Sequence, residues 1–247
     1  MQNHQDEHGV HHSMLGETHP HKDLTHGHTD TVIDKDCTGW MKDWINWLLE
    51  IPYEDSPLIT NQINPFNKGY NSLRPSKADK ETGIMHLAAP VYGSSGNTYS
   101  NNYQVVPLGD WHLFFSPYII FNSKQEYPSL EEDELFNLAK RQVDSVYRLE
   151  VLLDGIGVEC CRVPIEPKDN AVVKNLPDKN VLGINPGELE NDEPIKIVAD
   201  GYACFLKPLP PGLHILSFKA YSPTYSLDTQ IQLNVRGRSK KPKEPIG

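Results

Sequence analysis

Between residues 227 and 235 apolar and polar positions alternate without a break. Leu227, Thr229, Ile231, Leu233 and Val235 share one face, while Asp228, Gln230, Gln232 and Asn234 share the other. A period of two is the mark of a strand with one face in a core and the other in water. Other runs dense in β-branched and aromatic residues read as strands over 84–91, 103–107, 111–121, 147–153, 156–163, 195–199, 202–206 and 214–220. Turn chemistry separates several of them. Asp154-Gly155 is a two-residue hairpin signal between 147–153 and 156–163. Gly109-Asp110, Asp200-Gly201 and 208–212 read as further turns, and 93–102, rich in Gly, Ser, Asn and Tyr, reads as a loop.

Two segments switch to helical spacing. Trp40, Trp44, Trp47, Leu48 and Ile51 fall on one face of a helix over 38–51, which Thr38 caps and Pro52 ends. Three indoles on one stripe suit either a helix docked on a sheet or an exposed platform for sugars or a membrane interface. Docking is the simpler expectation. Over 129–146, Leu135, Leu138, Ala139, Val143 and Val146 keep helical spacing, and Ser129 with Glu132 matches a capping box. Residues 52–83 and 164–194 are rich in proline and polar or charged residues and read as irregular connections.

The pattern predicts a mostly β protein, a β-sandwich of jelly-roll or Ig-like type with two packed α-helices. It occupies 37–235 as one domain. Residues 1–36 hold almost no large apolar side chain, so they are expected to be a disordered head that cannot offset its ordering entropy by burial. Residues 236–247, with Arg236, Arg238, Lys240, Lys241 and Lys243, are expected to be a flexible basic tail.

Residues 199–220, ADGYACFLKPLPPGLHILSFKA, followed by the closing strand LDTQIQLNV at 227–235, resemble a family of uncharacterised, often exported microbial proteins. That family's pattern is a DGY segment, a PL-x-PG-x-H turn-strand and a final strand. VPLGDWHLFFSPYIIFN at 106–122 resembles its central strands, and GWMKDWINWLLEIP at 39–52 is similar to its tryptophan-bearing opening helix. These stretches cover about a quarter of the chain. The resemblance implies a β-sandwich-like body and carries no established reaction. The family's cysteine before the central strands has no counterpart here.

Composition narrows the partners. The chain has 247 residues, 38% of them hydrophobic, and a formal net charge of −10. This acidity disfavours broad contact with nucleic-acid phosphates, so no nucleic-acid partner is expected. No run approaches the roughly 20 apolar residues of a membrane-spanning helix. Residues 1–15 lack an apolar core behind a basic start, so no secretory signal is read there. The expectation is a cytoplasmic location, or an extracytoplasmic one if a signal has been removed. The four cysteines, Cys37, Cys160, Cys161 and Cys204, form no CxxC pair. They read as four thiols packed as small hydrophobes. A bridge from Cys37 to Cys204 or Cys160 is the alternative in an oxidising compartment.

Candidate chemistry lies in three places. His86, His112 and His214 sit in strand-like runs, and such histidines converge on zinc or iron in some β folds. Asp110, Asp154 or Asp200 would complete the set. No HxH or HxxxH spacing links them, and a histidine on an apolar strand face is more often a hydrogen-bonded core residue. The head carries His4, His8, His11, His12, His19, His21, His26 and His28, interleaved with acidic residues. Neutral imidazoles there suit weak binding of Zn, Ni or Cu above about pH 6, as a native buffer or as an artificial tag. Tyr92, Tyr99 and Tyr103 in the Gly/Ser/Asn-rich segment present ring faces on which a glycan could stack.

No G-x-S-x-G elbow, P-loop or G-x-G-x-x-G fingerprint occurs. Glu131, Glu132, Asp133 and Glu134 suit a helix dipole better than acid–base work. The leading expectation is a non-catalytic binding or structural module with a glycan or protein partner. A metal-dependent enzyme using the body histidines, and a metal buffer in the head, are the alternatives.

Overall fold

The computed structural model describes residue 25 and residues 35–53, 83–87, 99–105, 111–180, 182–184, 194–223 and 226–235. For 99–105 it describes the backbone alone. The eight head histidines, Tyr92, Asp110, the segment 54–82 and the tail 236–247 lie outside these residues. Among the described residues no helix is long and apolar enough to cross a membrane.

The protein is mostly β, with two α-helices among the described residues. In chain order the elements are α1 (Cys37–Leu49), β1 (Ile84–His86), β2 (Tyr99–Val105), β3 (His112–Ser123) and α2 (Glu132–Asp144). After them come β4 (Arg148–Leu153), β5 (Ile156–Gly157), β6 (Cys161–Arg162), β7 (Ala171–Val173), β8 (Ile195–Leu206), β9 (Gly212–Tyr221) and β10 (Ser226–Val235). Among the described residues the strands form two five-stranded sheets. One runs β1-β3-β8-β6, with β7 also on β8, and the other runs β2-β10-β9-β4-β5. The pairs β1–β3 and β2–β10 are parallel and the remaining pairs antiparallel.

Strand β8 organises the first sheet. One edge carries β3. The other edge is covered in short pieces: Thr25 beside Leu206, β6 beside Tyr202 and Ala203, Ile165 beside Ala199, and β7 beside residues 195–197. Asp200-Gly201 is therefore not a turn but the middle of one continuous strand. The glycine serves a close approach. A Cβ on Gly201 would stand 2.6 Å from the Tyr118 carbonyl oxygen and 2.8 Å from the Ile119 Cα. β3 is irregular at this point, its register shifting between Phe115 and Tyr118, where Ser116 Oγ donates to the Tyr202 carbonyl at 2.7 Å. On the other side of β8 the Gly201 carbonyl accepts from the Val163 amide at 2.8 Å.

The neighbouring Asp200 is buried, yet ionic. Arg162 on β6 grips both its oxygens through Nε at 3.1 and 3.2 Å, with Nη2 also bonded to Oδ2. Arg162 Nη2 also reaches Asp144 at the end of α2, at 2.6 Å. The hydrogen bonds that Arg162 donates to Asp200, opposed by burial and reinforced by Asp144, raise the guanidinium above its ordinary value. A buried carboxylate is tolerable when a bidentate guanidinium compensates its desolvation. Here the pair also ties α2 to the first sheet, alongside Asn122 Nδ2, which donates to the Leu135 carbonyl at 2.9 Å.

Helix α1 lies on the first sheet with Trp40, Met41, Trp44, Ile45, Leu48 and Leu49 buried. Trp44 Nε1 donates to the Leu87 carbonyl at 2.8 Å. The tryptophan stripe is thus docked rather than presented as a platform. The helix starts one residue before Thr38, because Asp36 is the cap and its carboxylate accepts from the Gly39 amide at 2.8 Å. Described residues before Cys37 also make contacts with the body. Thr25 is buried in its bridge to Leu206, and the Lys35 ammonium lies 5.0 Å from the Trp40 ring centre while pairing with Asp43.

Several sequence expectations are corrected by the pairing. α2 is capped by Glu131 and Glu134, whose carboxylate accepts from the Glu131 amide at 2.8 Å, so the capping box lies two residues after the Ser129–Glu132 match. The run 156–163 does not return as one hairpin strand. Its first part, β5, pairs with β4, and its last part, β6, crosses to β8 in the other sheet. β2 and β3 are likewise not a hairpin, since they belong to different sheets. β2 begins at Tyr99, inside the segment read as a loop, and β7 falls within the stretch read as irregular.

The cysteine reading is corrected too. Cys160 and Cys204 form a disulfide, while Cys37 and Cys161 carry thiols. Cys161 pairs with Ala203, so Cys160 comes opposite Cys204 on the other face of the sheet.

Gly201→Ala is expected to lower stability by about 2–3 kcal/mol, because backbone atoms rather than a flexible side-chain end meet the new methyl. Denaturant unfolding measures it. Arg162→Met should cost about 2–3 kcal/mol by stranding Asp200. This is below the usual range for a buried pair because the guanidinium is itself partly exposed. Adding Asp200→Asn should recover part of the loss in the same assay.

Candidate functional site

The second sheet has two chemically different faces. Val151 and Leu153 of β4, Leu216, Phe218 and Ala220 of β9, and Leu227, Ile231, Leu233 and Val235 of β10 are buried on one of them. Phe218 stacks on Phe115 of β3, ring centres 5.9 Å apart, so this face meets the first sheet. The alternation read from 227–235 is present in β10: Gln232 and Asn234 are exposed between buried neighbours.

The opposite face carries cross-strand rows fixed by the register. Arg148, Tyr221 and Ser226 form one row, then Glu150, Lys219 and Asp228, then Leu152, Ser217 and Gln230. Charges alternate across the middle row, with Lys219 Nζ 3.2 Å from Asp228. Arg148 bonds Glu150 at 2.7 Å along the strand. At the end of these rows Tyr147 and Tyr221 stack, ring centres 6.4 Å apart and planes 26° apart, and the Arg148 guanidinium lies 5.8 Å from the Tyr221 ring centre. The Tyr147 amide donates to the Tyr221 carbonyl at 3.0 Å, fixing the two backbones side by side. Tyr147 is 64% exposed. An exposed tyrosine stacked on a half-buried one and flanked by a guanidinium, carboxylates and amides offers flat apolar contact and hydrogen bonds together.

Tyr99 and Tyr103 lie in β2 beside β10, registered with Leu227 and Ile231. Tyr147 and Tyr221 were not singled out from the sequence. Their one sequence signal is position: each stands at the end of a strand-like run, next to a turn or helix.

The three body histidines divide between the two sheets. His86 on β1 is buried among Trp40, Trp47 and Phe114, with ring centres 6.3, 5.5 and 6.1 Å away. His112, on the neighbouring β3, packs on Phe205 at 5.8 Å. His214 lies in the other sheet. Its Nδ1 is 2.7 Å from Asp154 and its Nε2 is 2.9 Å from the Pro210 carbonyl. Of the proposed carboxylate ligands, Asp154 holds His214 and the Ile215 amide, and Asp200 holds Arg162. Among the described residues no three His, Cys, Asp or Glu side chains gather as a metal site.

Asp154 combines two roles. It adopts φ 52 ahead of Gly155 at φ 82, the backbone of the two-residue turn expected between β4 and β5. Its carboxylate reaches across to β9, accepting from the Ile215 amide at 2.8 Å.

No family model matches this chain, and no curated protein matches it. Among solved structures it is similar to the solution structure of amebosin, at 8% identity over 56% of this chain and 96% of that one, with a TM-score of 0.24. It is also similar to PbICP-C in complex with falcipain-2, at 9% identity over 61% of this chain and 98% of that one, with a TM-score of 0.26. Likenesses of this size assign neither a fold family nor a function.

Burial disfavours a charged His214, but the bonds to Asp154 and Pro210 outweigh it and raise its pKa above the ordinary value. The folded state therefore holds this proton more tightly than the unfolded chain does. The stabilisation is complete below the ordinary histidine value and fades as pH rises through the folded one. The stability gap between the native protein and His214→Gln should be larger at about pH 5 than at about pH 9. Chemical denaturation across that range measures it.

Proposed function

We propose that the two sheets close on one another as a β-sandwich and that this body is a non-catalytic carbohydrate-binding module. The observation carrying the reading is the stack of exposed Tyr147 on half-buried Tyr221 at the end of the polar rows of the second sheet. The Phe115–Phe218 contact between the sheets supports the sandwich. Sugar rings offer C–H faces that pack on aromatic rings, and their hydroxyls accept and donate to groups such as Arg148, Glu150, Lys219 and Asp228. A sheet face serves such a ligand well because its side chains are already ordered by the register, so little entropy is lost on binding. The resemblance to exported proteins with a DGY…PLPPGxH segment belongs to the same reading, since glycan binding suits an extracytoplasmic protein.

The full chain should bind a defined oligosaccharide on a glycan array, with affinity confirmed by calorimetry. Tyr147→Ala and Tyr221→Ala should each weaken that affinity about fivefold, the loss of roughly 1 kcal/mol of ring contact. Retention of full affinity in both variants would remove this face as the site. Absence of any bound glycan would remove the reading itself.

A further inference from the structure

All four cysteines meet on one part of the first sheet, sorted by strand alternation into two pairs. Cys204 on β8 is registered with Phe115 and so shares the face that meets the second sheet, where it is bonded to Cys160. Cys161, the next residue in the chain, is registered with Ala203 and lies on the opposite face. That is the α1 side, since Phe205, two residues along from Ala203, packs on Trp40 of α1 at 6.0 Å. The first residue of α1 is Cys37, and its Sγ lies 3.3 Å from the Sγ of Cys161. Neighbouring cysteines thus face different partners. The arrangement avoids a strained bond between Cys160 and Cys161 and gives each its own sulfur to meet.

We propose that Cys37 and Cys161 are a second disulfide site, closed by exchange with a low-molecular-weight disulfide such as oxidised glutathione, which pins α1 to β6. An environment that keeps Cys160–Cys204 oxidised supplies oxidants of this class. Cys161 is half-buried and Cys37 buried, so Cys161 meets the oxidant first. The hydrogen bond with Cys37, opposed by burial, also lowers the Cys161 thiol below its ordinary value and enlarges its thiolate fraction.

The Cys161 thiol releases its proton to water and its sulfur attacks glutathione disulfide. The glutathione S–S bond breaks, one glutathione thiolate leaves, and Cys161 carries the mixed disulfide. Cys37 then loses its proton and attacks Cys161 Sγ, expelling the second glutathione thiolate. Two electrons pass from the cysteine pair to the glutathione disulfide, and the two thiolates formed take up two protons.

The experiment uses the full chain, incubated with oxidised glutathione at neutral pH, then denatured in excess alkylating agent and weighed. The expected result is a fall from two alkylated cysteines to none, with peptide mapping that joins Cys37 to Cys161. The Cys160→Ser/Cys204→Ser double variant should still form that cross-link. Cys37→Ser should instead accumulate a glutathione adduct on Cys161. Oxidation should raise the melting temperature of the native chain by roughly 10 °C and leave that of Cys37→Ser without this rise. Two alkylated thiols remaining at positions 37 and 161, or a bond from Cys37 to Cys160 or Cys204, would overturn the proposal. The native-chain count decides the matter even where a variant does not fold.

Discussion

At Gly201 two strands run so close that no side chain fits between them, and most of the first sheet is arranged around that approach. β3 crosses β8 there with its register shifted, and Ser116 bonds the Tyr202 carbonyl across the irregularity. Tightness on one side is matched by bonding on the other, where the Gly201 carbonyl meets Val163. The residue before the glycine brings a buried negative charge into the strand, which Arg162 neutralises while reaching α2 through Asp144. The Asp-Gly-Tyr segment is therefore one structural unit. Its acid recruits an arginine, its glycine admits a backbone, and its tyrosine supplies the carbonyl that closes the irregularity.

The same alternation that makes a strand two-sided sets what each face can do. On β8 it sends Cys204 toward the second sheet and Ala203 and Phe205 toward α1, so adjacent residues serve different layers. On β9 and β10 it divides a hydrophobic face, held by Phe218, Ile231 and Leu233, from a face of charges and amides ending in two tyrosines. The buried face holds the rows of the solvated one in register, which is why a binding surface there would be rigid before any ligand arrives.

Local features were legible in the sequence because their causes are local. The alternation of 227–235, the Asp154-Gly155 turn and the helical spacing of the tryptophans each follow from a few adjacent residues. What depended on distant partners was not. Asp200-Gly201 has turn composition, and only the position of β3 reveals that the glycine relieves a collision. The runs around Tyr103 and Trp111 are neighbours in sequence but enter different sheets, because β2 pairs with β10 and β3 with β8. The candidate binding pair, Tyr147 and Tyr221, is created by the Arg148–Tyr221 register, and each tyrosine alone looks like an ordinary surface ring. The helix starts were misplaced by one to three residues because acids at 36 and 131 do what a hydroxyl was expected to do.

The parallel pairing of β2 with β10 has a consequence for how the molecule comes into being. Synthesis runs from the N-terminal end, so β2 leaves the ribosome long before the strand that will bond it. Until β10 emerges, its amides and carbonyls must stay hydrated or be shielded by some other molecule, and the second sheet cannot be completed from that side. Assembly of this half of the protein is thus paced by its last strand, and a nascent chain stalled ahead of β10 would leave an open edge suited to association with its own copies.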